Sequence, residues 1–379
     1  MTDPALAHGS VLPRETPLAD RHRALGASFT DFGGWSMPVR YSSDLAEHHA
    51  VRSTAGLFDI SHMAEFAVDG AGAGAFLDHA LAGRLSTVPV GKAKYSLLLA
   101  ESGGIVDDLI VYRLAEDSFF VVANAGNRAP VAAALAARAS GFDCTVVDVT
   151  DEFALIAVQG PSARTILEKT SGLVSAARPL EELPYYAATE CSFRDTRMLV
   201  ARTGYTGEDG FELYIDPARA EELWDALTEA GEPHGLVPAG LAARDTLRLE
   251  AGMPLYGHEL SLEVLPVQVG LGRVVAVDKE NFVGKAALES VVAADAPVLV
   301  GLVSDGRRAG RAGYAVVDEE GTTVGTVTSG ALSPTLGHPI AMALVAPSHA
   351  AVGTELALDV RGTRIPATVT DLPFYRRTK

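Results

Sequence analysis

Cysteine is almost missing from this chain. Two occur in 379 residues, Cys144 and Cys191, far apart and outside any CxxC spacing. That rules out a disulfide framework or a thiolate metal cage, and both are expected as reduced core thiols of a cytoplasmic protein. Basic charge is also in deficit, with 31 Lys and Arg against 48 Asp and Glu and a formal net charge of −17. A nucleic-acid backbone partner needs a basic face, so none is expected, although a local basic pocket for a small anion stays open. No apolar run reaches the roughly 18 residues of a membrane span. The first residues carry Asp3, Glu15 and Asp20 and lack an apolar core, so neither a secretory signal nor an acid-poor transit peptide is read there.

Familiar catalytic signatures are lacking too. GxxxxGK(S/T), HExxH, paired CxxC and GxSxG do not occur. The run Asp69-Gly70-Ala71-Gly72-Ala73-Gly74 spaces its glycines as GxGxG rather than GxGxxG, and reads as a turn and a helix start. His48 and His49 are adjacent, so on a helix they point about 100° apart, and no HxxxH spacing accompanies them. No metal site is expected.

What is present is a chain too long for a single core, with 48% hydrophobic and 21% charged residues. Its most informative stretch is Gly103-Gly104-Ile105-Val106-Asp107-Asp108-Leu109-Ile110-Val111-Tyr112-Arg113. A double glycine introduces an apolar, β-branched strand broken by two adjacent carboxylates. Buried carboxylates are costly unless paired or hydrogen-bonded. Side chains alternate along a strand, so Asp107 and Asp108 point to opposite faces and are not expected to act as an acid–base pair.

Flanking strands are expected at 94–100 and 119–124. A loop over 101–104 sets Asp108 opposite Leu97, with Tyr95 diagonal to it; a loop over 114–118 sets Asp108 opposite Asn124. Tyr112, four residues along, shares the face. The expected polar face is therefore Tyr95, Asp108, Tyr112 and Asn124. Asp107 finds no comparable company and reads as a solvent-facing or turn-capping acid.

Further on, 128–140 reads as a helix stopped by Gly141, with strands near 142–149, 153–158, 188–194 and 197–203. A three-glycine loop over 203–212 holds Tyr205, Glu208, Asp209 and Glu212. Amphipathic helices are expected at 217–230 and 240–252, the second carrying Arg244 and Arg248 one turn apart. After about residue 290 short β-branched runs alternate with turns, the texture of a small antiparallel barrel or sandwich. Carboxylates, tyrosines, an asparagine and an arginine on an apolar background suit a flat, polar-edged heterocycle with an anionic tail. Glu212 can accept two N–H bonds from a guanidine-like ring edge. On spacing alone, Glu212 capping a turn and Arg244 pairing on a helix surface stands as the plainer alternative.

Several tracts in order carry a resemblance. They are Asp31-Phe32-Gly33-Gly34-Trp35, Gly56-Leu57-Phe58-Asp59-Ile60-Ser61-His62-Met63, Gly103-Gly104-Ile105-Val106-Asp107-Asp108 and Gly204-Tyr205-Thr206-Gly207-Glu208. Gly240-Leu241-Ala242-Ala243-Arg244-Asp245, Thr328-Ser329-Gly330 with Ser333-Pro334, and Pro373-Phe374-Tyr375 follow. From about Thr16 onward the chain resembles the aminomethyltransferase (T-protein) family of the glycine cleavage system.

The resemblance implies an α+β, three-domain cloverleaf with a ferredoxin-like portion and a C-terminal antiparallel β barrel around a central folate channel. Residues 1–290 would form the folate-binding region, as two interleaved α+β domains, and 291–379 the barrel. It implies a cytoplasmic enzyme that uses tetrahydrofolate and lipoylated H-protein, releasing ammonia and forming 5,10-methylenetetrahydrofolate, without catalytic metal, nicotinamide or flavin. The essential aspartate of the family matches Asp108, expected to anchor the reactive edge of folate. Positions matching folate contacts are Met63, Tyr95, Tyr112, Asn124, Tyr205, Glu212, Arg244 and Arg376.

One departure stands out. A family tract that usually reads Pro-x-Glu-Ala-Gly-Leu is Pro266-Val267-Gln268-Val269-Gly270-Leu271 here. Folate-dependent demethylases of small methylated compounds share the implied fold and remain an alternative. So do non-catalytic folate-binding proteins of iron–sulfur assembly, although their Lys-Gly-Cys-Tyr-type tract surrounds neither Cys144 nor Cys191. The flavin-fused dimethylglycine and sarcosine oxidising enzymes need a flavin domain, for which this chain is expected to be too short.

Overall fold

A computed structural model describes residues 12–175, 178–289 and 295–377. The expected boundary between 290 and 291 lies outside the described residues.

The strand with the two acids sits second in a five-stranded antiparallel sheet. Its order is Ala93–Leu99, Ile105–Ala115, Ser118–Ala123, Ala64–Asp69 and Thr145–Asp148. Along Ile105–Ala115 the side chains divide by alternation. Leu109 and Val111 join a core with Phe66, Val68, Phe119 and Val121 under the helices Ala73–Ala80 and Arg128–Arg138. Tyr112 and the neighbouring Ile110 turn the other way, into a second core with Phe120 and Val122.

That second core is shared with another sheet. A seven-stranded sheet runs Leu173–Ser175, Ala188–Phe193, Thr196–Ala201, Gly210–Ile215, Ala154–Gln159, Ala55–Asp59 and Leu236–Pro238. Its outer face, with Ile156, Val158, Phe211, Leu213 and Ile215, packs beneath the helices Ala163–Lys169 and Ala220–Gly231. Its inner face contributes Leu155, Ala157, Ala201 and Tyr214 to the shared core. Helix, sheet, sheet and helix thus stack as four layers, and most central strands are buried on both faces.

The two sheets follow one plan. In each, a first strand leads to a helix, a run of antiparallel strands, a second helix and a last edge strand. The first strand lies between the fourth and the last in the five-stranded sheet, and between the fifth and the last in the seven-stranded one, where Ala55–Asp59 is inserted ahead of the last. This is the ferredoxin-like α+β architecture, used twice.

Six strands close the C-terminal barrel in the order Val298–Ser304, Pro339–Val345, Thr323–Leu332, Ala315–Val317, Glu355–Val360 and Thr363–Thr370. The barrel is fastened to the sheets by buried polar groups. Glu250, at the end of the helix Leu241–Glu250, accepts from Ser333 Oγ at 2.5 Å and Thr335 Oγ1 at 2.7 Å in the barrel. It also pairs with Arg52 at 2.8 Å and His48 at 3.2 Å, both on the helix Asp44–Ser53. The tandem histidines are thereby explained: His48 is a buried clamp between Thr246, Thr335 and Glu250. Gln268, where the family tract usually has Glu, uses the amide hydrogen a carboxylate lacks. Its Nε2 donates at 2.8 Å to the Pro297 carbonyl, just ahead of the first barrel strand.

No helix among the described residues is long and apolar enough to cross a membrane.

Candidate functional site

The registers around Asp108 follow the expectation. Leu97 faces Asp108 and Tyr95 faces Ile110 across the first hairpin. In the second, Ile110 faces Val122 and Arg113 faces Phe119, so the ladder continues to Asp108 and Asn124. The second turn is tighter than 114–118, because the strands run on to Ala115 and start again at Ser118. A bulge between Arg113 and Ala115 absorbs the extra residue and preserves the register.

Asp108 is fixed by two donors. Tyr95 Oη donates to its Oδ2 at 3.0 Å and Asn124 Nδ2 to its Oδ1 at 2.8 Å. Burial pushes the Asp108 carboxyl above its ordinary range, against the pull of these hydrogen bonds.

Asp107 corrects the expectation. It is fully buried, neither solvent-facing nor merely capping a turn. It accepts from Asn124 N at 3.0 Å, Asn124 Nδ2 at 2.8 Å and Asn127 Nδ2 at 2.7 Å. Burial and the adjacent Asp108 charge push it up to about 7. Although alternation separates the two acids, both reach the amide of Asn124, which lies just beyond the last residue of its strand.

Glu212 also departs from the loop reading. It lies within the strand Gly210–Ile215, paired with Ala157 and Ala201, and its side chain points to the inner face beside Tyr214. The alternation Phe211-Glu212-Leu213-Tyr214-Ile215 carried this signal, masked by the three glycines before it. Thr203 Oγ1 donates to Glu212 Oε2 at 2.5 Å and Tyr112 Oη does so at 3.4 Å. Both bonds fall on Oε2, and Tyr214 also stands close enough to help hold the carboxylate's charge. Burial raises the Glu212 carboxyl. Arg244 lies 4.6 Å above the Tyr205 ring, and Tyr205 Oη donates at 2.5 Å to the Pro254 carbonyl. The Arg244 guanidinium forms no ion pair or hydrogen bond among the described residues, and burial lowers its pKa.

These groups border one cavity of about 860 Å³ between the inner sheet faces and the barrel. Met63, Tyr95, Asp108, Asn124, Tyr205, Glu212 and Arg244 all line it. Tyr112 stands one layer behind, fully buried, and reaches the cavity through Glu212 and through Tyr214, whose hydroxyl donates to its own at 3.3 Å. Arg376 is exposed and outside the lining; its neighbour Arg377 pairs with Asp209 at 3.6 Å. Sequence reasoning passed over Gln159, Tyr186, Asp371 and Leu372, which also line the cavity. Nothing in their local spacing marks them.

Comparison with known proteins completes the picture. Residues 18–279 match the model of the GCVT N-terminal domain, and 298–376 that of the glycine cleavage T-protein C-terminal barrel domain. The chain belongs to the glycine cleavage T-protein family. An aminomethyltransferase of Cutibacterium acnes is 56% identical over 96% of this chain and 99% of its own. One from Streptomyces avermitilis is 56% identical over 98% and 100%. The crystal structure of glycine cleavage system aminomethyltransferase T from Bartonella henselae superposes with a TM-score of 0.89 at 39% identity, over 97% of this chain and all of that one. As a T-protein family member the chain is an enzyme of the one-carbon transferase class, and the family is folate-dependent.

Proposed function

We propose that this T-protein family member carries out tetrahydrofolate-dependent aminomethyl transfer, with the lipoyl arm of H-protein as donor and Asp108 as the catalytic residue. When bound, tetrahydrofolate would supply two N–H nitrogens that take the carbon as 5,10-methylenetetrahydrofolate, while the donor loses its carbon–sulfur and carbon–nitrogen bonds to a thiol and ammonia. The two N–H protons go to sulfur and nitrogen, so the exchange balances without an oxidant.

The cavity fits such a cosubstrate. Glu212 offers Oε1 to the N–H edge of a flat heterocycle, and unpaired Arg244 suits an anionic tail. Met63 and Tyr205 offer apolar and aromatic surface on the same wall. Tyr112 acts from behind by holding Glu212. Arg376 is assigned no contact with bound folate.

Asp108 is the group on which the chemistry rests. Its oxygens are oriented by Tyr95 and Asn124, and each retains lone-pair capacity toward the cavity. Raised proton affinity suits it to hold a proton at Oδ1 or Oδ2 while the amine departs, and its charge stabilises cationic character at the transferred carbon. The observation that carries this reading is the joint presence of oriented Asp108, Glu212 and unpaired Arg244 in one cavity. The same reading places the enzyme in the cytoplasm and divides the chain into a folate-binding region and the barrel.

The deciding assay mixes the protein with tetrahydrofolate and aminomethylated H-protein. Ammonia and methylenetetrahydrofolate in equal amounts are expected. Turnover of a methylated amine or sulfonium instead would make it a demethylase, and folate binding without turnover of any of them would make it a binding protein.

A further inference from the structure

Beside the main cavity lies a smaller chamber of about 160 Å³. Phe32, His62, Asn124, Asn127, Leu255 and Tyr256 line it. Met63, Asn124 and Arg244 border both spaces. Asn124 therefore touches Asp108 and this chamber at once.

His62 is the unexplained group. It is 1% exposed, and neither ring nitrogen has a hydrogen-bond partner among the described residues. A buried polar atom left unpartnered is costly and is usually met by something the protein itself does not provide. Burial, helped by the Arg244 charge, holds the ring pKa down to about 3, so His62 is neutral and offers one N–H and one lone pair.

The asparagines fix the polarity of the remaining wall. Asn127 Nδ2 donates at 2.7 Å to Asp107 Oδ1 and at 3.2 Å to the Val106 carbonyl, which uses both its hydrogens. Asn124 Nδ2 is held by Asp107 Oδ1 and Asp108 Oδ1. Turning either amide over would set its oxygen against a carboxylate, so the orientation is dictated by Asp107. Both Oδ1 atoms are left as acceptors that take no hydrogen bond from the described residues. The chamber thus presents two amide oxygens and a neutral imidazole, with the unpaired Arg244 guanidinium and the Tyr256 hydroxyl as the donors on its border. Such a wall suits a small neutral guest rich in N–H bonds with one lone pair of its own.

We propose that this chamber receives the ammonia released at Asp108, with His62, Asn124 and Asn127 as its ligands. Ammonia donates to the two amide oxygens and accepts from the imidazole N–H, or donates to the ring lone pair in the other tautomer. Arg244 at the border favours the neutral amine over ammonium. The inference rests on the aminomethyl-transfer reading, since that reaction is what releases ammonia there.

Two measurements test it. Protein labelled with nitrogen-15 in its histidine rings is titrated with ammonium chloride, with sodium chloride and tetramethylammonium chloride as controls. The His62 signals, identified by their loss in His62→Gln and His62→Leu, are expected to move with ammonium chloride alone. In the reverse direction, with methylenetetrahydrofolate and reduced H-protein, His62→Leu is expected to raise the KM for ammonium about tenfold and leave that for methylenetetrahydrofolate within about twofold. Signals that stay still at ammonium concentrations saturating the reverse reaction overturn the assignment and leave a chamber of solvent only. An unchanged ammonium KM in folded His62→Leu overturns it as well. Unaltered protein that consumes no ammonium overturns the aminomethyl-transfer reading itself, a different result from either.

Discussion

Asp107 and Asp108, neighbours on one strand with side chains on opposite faces, converge on a single donor: Asn124 Nδ2 lies 2.8 Å from an oxygen of each. The convergence is possible because Asn124 follows the last residue of its strand, where one amide can reach around the end of the ladder to both faces. Asp108 meets the cavity, and Asp107 sets the orientation of the asparagine that holds it.

Replacing the two acids should therefore have unequal effects. Asp108→Asn is expected to lower kcat by a factor on the order of 10² to 10⁴ while folate affinity stays nearly unchanged, as for loss of a positioned proton acceptor. Asp107→Asn acts only through the two asparagines it holds, Asn124 and Asn127, and should cost less. Steady-state kinetics with aminomethylated H-protein distinguish them, and a larger loss from Asp107→Asn would move the catalytic assignment to that residue.

Glu212 and Arg244 are expected to govern affinity rather than turnover. Glu212→Gln exchanges one acceptor for a donor and should weaken folate binding roughly 10- to 100-fold, with a smaller change in kcat at saturation. Arg244→Ala should weaken binding of a folate with its glutamate tail and leave binding of a pterin without the tail nearly unaffected. Calorimetric titration with each compound checks both.

Acid should loosen the barrel from the sheets. Burial alone would raise the Glu250 carboxyl, but His48, Ser333 and Arg52 hold it down to about 2, against an ordinary value of 4.5. The native state thus binds fewer protons here than the unfolded chain. This contribution is complete above pH 4.5 and is lost as pH falls toward 2. Asp107 runs the other way: its raised pKa makes the folded state bind more protons, so its contribution falls as pH rises from 3.8 to about 7. Urea midpoints measured against pH should show both slopes, the first flattened in Glu250→Gln and the second in Asp107→Asn.

Of the two glycines that introduce the acid-bearing strand, Gly104 has no room for a side chain. A Cβ on Gly104 would lie 1.8 Å from the Leu262 carbonyl oxygen, a clash with backbone that no rotamer relieves. Gly104→Ala is expected to cost about 3 kcal/mol or more, the upper range for overpacking. Gly141, at φ +90° with open space around it, is a useful contrast. Gly141→Ala should cost only about 1–2 kcal/mol of backbone strain. Chemical denaturation of the two variants gives the comparison directly.

Much of the site was legible because strand arithmetic is short-range. Loop lengths and alternation placed Leu97 and Asn124 opposite Asp108 and put Tyr95 and Asp108 on one wall. The second turn is shorter than expected by two residues at its start and one at its end, yet the bulge restores the count. Glu212 was misread as a loop residue because three glycines outweighed a five-residue alternation that was already present. Family resemblance supplied Met63, Tyr205 and Arg244, which no local spacing ties to Asp108.

Sequence by itself determined the strands, the helices, the barrel texture and the face on which Asp108 lies, since each depends on residues a few positions apart. Tertiary structure decided the rest. It brought Glu212 and Arg244 to Asp108, turned Tyr112 from a wall residue into a support, left Arg376 in solvent and buried Asp107. Those outcomes depend on how two sheets and a barrel pack across 100 residues of chain or more, where desolvation and unmet hydrogen bonds, rather than periodicity, settle each side chain's place.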